Sequence, residues 1–305
     1  MDRRSFLINS AVLAASWPFS DFAKGPSRSL TVLHTNDLHS RIEPFPDDGR
    51  LYGGLGGAAR RAALIAAIRK STDNVLLLDA GDVFQGTPYF NYFGGELDYK
   101  LMSAMSYDAT TLGNHDFDAG LAGLKKQLPH ATFPHLIANY TFEQTPLANT
   151  FIPNKIFTKD QIKVGVFGIG IELNGLVSQP LFQQTIYLEP LQVAHEQVNI
   201  LRKRGAHFII CLSHLGFEYA TPKISDKILA DQVSGIDLII GGHTHTFLEK
   251  PLLHNRSDGY ACIINQVGWA GINLGRIDIT FSKGHKTVSS YQSMVIPLTD
   301  NANAV

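Results

Sequence analysis

In the stretch Val75-Leu76-Leu77-Leu78-Asp79-Ala80-Gly81-Asp82, an unbroken aliphatic run stops at Asp79 and passes through Ala80 and a glycine to a second carboxylate. The run Val75–Leu78 reads as a strand, because aliphatic and β-branched residues fill a short segment that ends in turn residues. Gly81 lets the backbone turn sharply and leaves the Asp82 side chain free to bridge two cations.

The same unit recurs on both sides. Further strand candidates are Leu30–His34, Ala109–Leu112, Pro134–Ala138, Lys163–Phe167, Phe208–Leu212 and Leu238–Ile240. Helical periodicity marks Gly57–Lys70, Gly94–Met105, Ala119–Leu128, Pro190–Lys203 and Pro222–Gln232 between them. Such alternation is the signature of a layered α/β domain. After Gly241 the pattern changes to strands without helices, Tyr260–Asn265, Ile272–Ser282 and Thr287–Val295, so the ending reads as a meander or hairpin. No repeat or linker interrupts the chain, and residues 29–297 read as one domain followed by a short tail, 298–305.

The 305-residue chain carries 26 Lys and Arg against 27 Asp and Glu, and 44% of its residues are hydrophobic. That balance builds a substantial core and excludes a disordered or fibrous protein. A net charge of −1 without a basic stripe argues against binding a nucleic-acid polymer. Cys211 and Cys262 both sit in apolar runs, so buried free thiols are expected rather than a disulfide framework or a cysteine zinc site. Residues 1–25 read as an export signal: Arg3 and Arg4 precede Ser5-Phe6-Leu7 as in a bacterial twin-arginine signal, and an apolar stretch runs from Phe6 to Trp17. That stretch is shorter than the roughly 20 residues needed to span a bilayer, and no later segment qualifies, so no transmembrane segment is expected. A periplasmic or otherwise exported bacterial protein is the expectation.

Five segments combine His, Asp and Asn with turn residues where strands stop. They are Thr35-Asn36-Asp37-Leu38-His39, Gly81-Asp82, Gly113-Asn114-His115-Asp116-Phe117-Asp118, Ser213-His214 and Gly241-Gly242-His243-Thr244-His245. In open α/β sheets ligands gather at the carboxyl ends of strands, so the five should converge on one face. Asp37 and His39 are two residues apart, as are His243 and His245; in an extended segment that spacing turns both side chains to one side. Asn114 offers an amide oxygen and His214 an imidazole nitrogen. Oxygen and imidazole ligands without sulfur suit Zn, Mn, Fe or Mg.

These motifs resemble the calcineurin-like metallophosphoesterases, and within them the 5'-nucleotidase branch. The matching stretches are LHTNDLHSR (33–41), DAGDVFQGTP (79–88), GNHDFDAG (113–120), LSHLG (212–216) and GGHTHTFL (241–248), in family order. The segment GGLGGAARR (53–61) also falls where that branch has a similar one. The resemblance implies a four-layer α/β/β/α sandwich with two mixed sheets and a site for two divalent metal ions. It puts one ion on Asp37, His39, Asp82 and His245 and the other on Asp82, Asn114, His214 and His243, with Asp82 shared. The spacing argument brings the same side chains together without dividing them between two ions. By the same resemblance His115 faces the phosphoryl group and Asp118 orients its ring. Eukaryotic members often have Glu where this chain has Asp116, a position outside the implied ligands and given little weight.

By the same resemblance, two divalent cations set against Asp37 and Asp82 would leave about +2 to receive a phosphate dianion and would supply hydroxide for an in-line attack. His115 then stabilises the transition state or protonates the leaving oxygen. The expected activity is removal of phosphate from nucleotides or similar phosphomonoesters. A phosphodiester, a nucleotide sugar or a sulfur ester fits the same site, and a non-catalytic binding or assembly protein is the alternative from another class. Many 5'-nucleotidases carry a C-terminal domain that grips the nucleoside with stacked aromatics. Only 57 of the 305 residues follow Leu248, so a separate polypeptide is expected to supply that half. His34 is read as a partner for the ligands beside it, and Asn36 and Arg41 as either shaping the loop or touching substrate. The glycines at 54–57 imitate a dinucleotide-binding loop, but no apolar strand enters it, and it is read as a loop packed near the site.

Overall fold

Alternation along the strands sorts the apolar side chains into three separate cores. The elements run β1 (Arg28–Thr35), α1 (Ala58–Ser71), β2 (Val75–Asp79), α2 (Pro88–Phe93), α3 (Glu96–Ala104), β3 (Ala109–Thr110) and α4 (Gly120–Gln127). Then come β4 (Tyr140–Thr141), β5 (Asn154–Lys159), β6 (Ile162–Ile169), α5 (Gln179–Phe182), β7 (Ile186–Tyr187), α6 (Pro190–Lys203) and β8 (Phe208–Ser213). The last are α7 (Asp226–Gln232), β9 (Leu238–Gly241), β10 (Leu252–Asn255), β11 (Ala261–Asn265), β12 (Asn273–Ser282) and β13 (His285–Val295). The computed structural model describes residues 26–282 and 285–296; the export signal expected at 1–25 and the tail expected at 298–305 lie outside the described residues.

Among the described residues, five strands form one sheet, ordered β13-β12-β1-β2-β3, and six form a second, ordered β10-β11-β9-β8-β6-β5. In the first, β1, β2 and β3 run parallel while β12 and β13 are antiparallel; in the second, β6, β8, β9 and β11 run parallel between antiparallel edges. Successive residues of a strand point to opposite faces. Leu76 and Leu78 of β2 therefore join Val164 and Val166 of β6 and Ile210 and Leu212 of β8 between the sheets. Val75 and Leu77 point the other way, to Ile65 and Ile68 of α1, Met102 of α3 and Leu121 of α4. Ile209 and Cys211 point to Val193 and Leu201 of α6 and Leu229 of α7. Three cores separate four layers, α/β/β/α, with two mixed sheets. Cys211 and Cys262 are buried free thiols.

Several boundaries differ from the sequence reading for identifiable reasons. Pro134–Ala138 forms no strand, because it crosses between sheets: Leu136 N bonds Thr110 O at 2.8 Å and Ala138 N bonds Gly168 O at 2.9 Å. The helix read from Pro222 starts at Asp226, where the Ser225 hydroxyl caps it by accepting from Ile228 N. The helix read from Gly94 starts at Glu96, because Gly94 in the left-handed region (φ 60°) ends a separate helix, α2, that the sequence reading did not include. The edge strands β5 and β10 are half-exposed and lack an apolar run, so nothing in composition announces them. The chain end is two hairpins in different sheets: β10 and β11 extend the second, β12 and β13 the first.

Candidate metal centre

Register sets the strand ends level. Thr35 lies opposite Asp79 across β1 and β2, and Ser213 opposite Gly241 across β8 and β9. The ligand-bearing loops leave from this edge, but not as extended chain. Asp37 (φ 52°), His39 (φ 50°), Asp82 (φ 53°), His243 (φ 71°) and His245 (φ 52°) all have left-handed backbone. The side chains two residues apart thus converge through curled loops, which corrects the extended-segment argument. Each such non-glycine residue costs on the order of 1 kcal/mol, so it persists only where its surroundings over-determine it. Here the two loops of the first sheet hold each other: Asp37 N bonds Gly81 O (2.9 Å), His39 N bonds Asp82 O (3.1 Å) and Ser40 N bonds Val83 O (2.9 Å). Gly81 (φ 88°) is required as well, because a Cβ there would lie 2.6 Å from Gly113 N.

Two groups of side chains face one another at this edge, Asp37/His39/His245 and Asp82/His214/His243. Asn114 joins the second group, its Oδ1 2.8 Å from His243 Nδ1. Asp82 lies between the groups, its Oδ2 3.1 Å from His214 Nε2 and 4.0 Å from His39 Nε2. All seven side chains singled out as ligands are brought together. Hydrogen bonds at the far ring nitrogens aim two of the imidazoles: His214 Nδ1–H donates to Ala80 O (2.7 Å) and His39 Nδ1–H to Phe84 O (3.2 Å), which frees each Nε2 as a lone pair. His39 Nε2 and His245 Nε2 are 2.9 Å apart. His214 Nε2 is buried and near Asp82, yet lacks hydrogen-bond alignment with any partner. A buried ring nitrogen without a hydrogen-bond partner beside two carboxylates, with further imidazoles crowded against one another, fits a cation among them. The residues present therefore suit a pair of divalent ions.

Electrostatics agree with that fit. Burial lowers the proton affinity of His214, but Asp82 and Asp37 outweigh it and push the ring up to about 10. Burial works against ionised Asp82 too, and His214 holds it well below the usual carboxylate range all the same. The pocket thus favours positive charge beside two buried carboxylates. His39 is lowered by burial, and His243 is lowered to about 4 by burial and then by His214. His115 stands at the open side, its ring centroid 5.3 Å from that of His39. Its Nδ1 is 2.8 Å from Asp118 Oδ2, a bond that raises its proton affinity against the effect of burial.

The calcineurin-like phosphoesterase family profile matches residues 30–247. The chain belongs to that family. It is 37% identical over 288 residues to the snake venom 5'-nucleotidase of Crotalus adamanteus, covering 87% of this chain and 47% of that protein. Its fold matches the 5'-nucleotidase precursor from Thermus thermophilus with a TM-score of 0.80 at 32% identity, over 90% of this chain and 55% of that one. It matches the NAD nucleotidase of Haemophilus influenzae with a TM-score of 0.76 at 28% identity, over 88% and 50%. The chain spans about half the length of the curated relatives it matches.

Family motifs alone miss much of what builds the phosphoesterase site. Asp116, given little weight from sequence, is buried and accepts backbone N–H groups from Asp82 (3.0 Å), Val83 (3.1 Å), Phe84 (3.3 Å) and Gly113 (2.8 Å). It ties the Asp82 loop to the Asn114 loop. Gln266 folds the loop of His243 and His245, donating to Gly242 O (2.6 Å) and accepting from Thr244 Oγ1 (3.0 Å) and Thr246 N. Asn36 shapes its loop, with Nδ2 donating to Asp37 Oδ2 (2.7 Å) and Gly268 O (2.5 Å). His34 pairs with Asn265 (2.9 Å) across the sheets rather than with a ligand, and burial lowers it to about 3. The glycine segment at 54–57 runs into α1, with Gly56 N bonded to Ile296 O (3.1 Å). The ring of Trp269, which no motif includes, lies against His245.

Proposed function

We propose that this chain is an exported phosphohydrolase that uses two divalent ions to remove phosphate from nucleotides and similar phosphomonoesters. The observation that carries this is the pair of facing clusters beside a bonded His115 and Asp118. In this reading one ion is held by Asp37, His39, Asp82 and His245, the other by Asp82, Asn114, His214 and His243, and Zn, Mn, Mg and Fe all suit the donors. Such ions, when bound, neutralise a dianionic ester and lower the pKa of water.

The chain's own groups do the rest. Side chains of Asp37 and His214 are 0% exposed and that of Asp82 is 2%, whereas those of His115 and His245 are 38% and 39% exposed. Substrate therefore enters on the side of His115 and His245. Asp118 engages His115 Nδ1, which leaves Nε2 to hold a proton for the leaving oxygen, a contribution of roughly 10²–10⁴ in rate. His243 N–H donates to both oxygens of Asp37 (3.0 and 3.1 Å), which keeps that carboxylate oriented toward the cluster.

Relatives that bear the name 5'-nucleotidase support a nucleotide as substrate. The test is a rate panel of nucleoside monophosphates, sugar phosphates, a phosphodiester, NAD and a sulfur ester with Mn, Zn or Mg added. His115→Ala should lower turnover on the best substrate by about 10² or more while metal content stays the same. Unchanged hydrolysis in that variant would contradict the role of His115. Export rests on Arg3, Arg4 and the apolar stretch Phe6–Trp17. Among the described residues no helix is long and apolar enough to cross a membrane.

A further inference from the structure

Outward from His245 the wall of the site turns aromatic. The Trp269 ring lies flat on the His245 imidazole, with centroids 5.5 Å and planes 5° apart, and meets His39 edge-on at 6.4 Å. Phe45 and Tyr52 each meet Trp269 edge-on, at 5.8 and 6.4 Å. Tyr52 in turn stacks on Phe247, with centroids 5.8 Å and planes 20° apart. The rings come from three loops, after β1, β9 and β11. Their backbones are fixed: Gly268 N bonds Thr246 O (2.9 Å), Ala270 N bonds Asp37 O (2.7 Å) and Gly54 N bonds Phe45 O (2.9 Å). Residue 268 must be glycine, since a Cβ there would lie 2.2 Å from the Phe247 ring.

Metal binding does not account for this row. Only Trp269 touches a ligand, and Tyr52 and Phe247 extend away from the clusters. Packing does not account for it either: Phe247 is 38% exposed, and Tyr52 and Trp269 are half-buried. The row begins at the open side of the centre, where His115 and His245 admit solvent. An ester whose phosphate sits between the clusters must send its leaving group out through that side, past these rings.

We infer that Tyr52, Phe247 and Trp269 form a stacking rim for the leaving group, so that the preferred esters carry an aromatic ring, as the base of a nucleotide does. The inference rests on the phosphohydrolase reading and adds a specificity determinant to it. Stacking uses the π-face that every base has, so the rim selects ring over no ring and discriminates little among bases.

The test compares kcat/KM for adenosine, guanosine and cytidine 5'-monophosphates with that for ribose 5-phosphate, using the metal-loaded full chain. The nucleotides should be favoured by about ten-fold or more, with small differences among them. Tyr52→Ala and Phe247→Ala should shrink that ratio, while Tyr52→Phe and Phe247→Tyr, which keep the ring, should retain it. As a readout apart from turnover, adenosine should saturably change Trp269 emission in a Trp17→Phe chain, and Phe247→Ala should weaken that response. Equal kcat/KM for nucleotide and ribose 5-phosphate overturns the rim. A preference that survives both alanine substitutions overturns it too, and assigns the rings to contact with a second polypeptide. Hydrolysis of neither kind of ester overturns the phosphohydrolase reading and the rim with it.

Discussion

Replacing Asp116 with Asn exchanges one acceptor for a donor in a carboxylate that is 1% exposed and receives four backbone N–H groups. Oδ2 takes those of Asp82 and Gly113, and Oδ1 those of Val83 and Phe84. Whichever way the amide turns, its nitrogen meets two donors with donors of its own, and two bonds are lost. A hydrogen bond to a charged group is worth about 1.5–3 kcal/mol, so two lost bonds cost about 3–6 kcal/mol, part of which is returned because the neutral amide escapes the cost of burying a charge beside Asp82, and the net loss should be about 1–3 kcal/mol. For a domain whose whole stability is about 5–15 kcal/mol, that is a large share. Urea unfolding should be followed with chelator present, so that metal affinity does not enter, and at pH 8. Burial and the Asp82 carboxylate push Asp116 up to about 7, so the group is mostly ionised there. The midpoint should fall with the slope unchanged. Asp118→Asn, a control at a side chain 28% exposed, should cost less than about 1 kcal/mol. An Asp116→Asn loss within about 1 kcal/mol would refute the view that this carboxylate ties the two loops together.

His135 is buried against Tyr99, Phe133 and Phe151, and burial lowers it to about 3. Between that value and the ordinary 6.5 the unfolded chain holds the extra proton, so stability is lost as pH falls below 6.5; His135→Phe should remove about 1.4 kcal/mol of that loss per pH unit between pH 6 and 4, and parallel stability curves would count against it. Gly168→Ala puts a Cβ 1.8 Å from Leu136 O and 2.5 Å from Thr111 Oγ1, which should destabilise by about 3 kcal/mol or more in a denaturant titration, and a smaller effect would mean that the crossing at Leu136 yields. Mn or Zn at a hundred times its Kd should stabilise the wild-type chain by about 2.7 kcal/mol per site, and His214→Ala should lose part of that gain in calorimetry; an equal gain in both would remove His214 from the ligands.

The chemistry-bearing residues were legible because strand ends are legible. An aliphatic run that gives way to turn or polar residues marks where a parallel strand delivers its loop, and Asp37, Asp82, Asn114, His214 and His243 all follow such runs. What was not legible depends on contacts between distant segments. Asp116 looks like one more acidic residue in a motif until Val83 and Phe84 are seen to donate to it. Trp269 and Gln266 lie in no motif, and their importance comes from ring and amide contacts to a loop some twenty residues earlier. Edge strands β5 and β10 bury too little for their composition to show it.

By itself the sequence determined the alternation of strands and helices, the side chains able to ligate metal and their delivery to one edge, because alternation and strand endings are local properties of the chain. Only the tertiary structure decided that five of those side chains sit on left-handed backbone, which nitrogen of His39 and His214 faces inward, and that an aromatic row flanks the opening. Those features cost free energy locally and persist because hydrogen bonds and packing from remote segments offset it, so no window of neighbouring residues contains them.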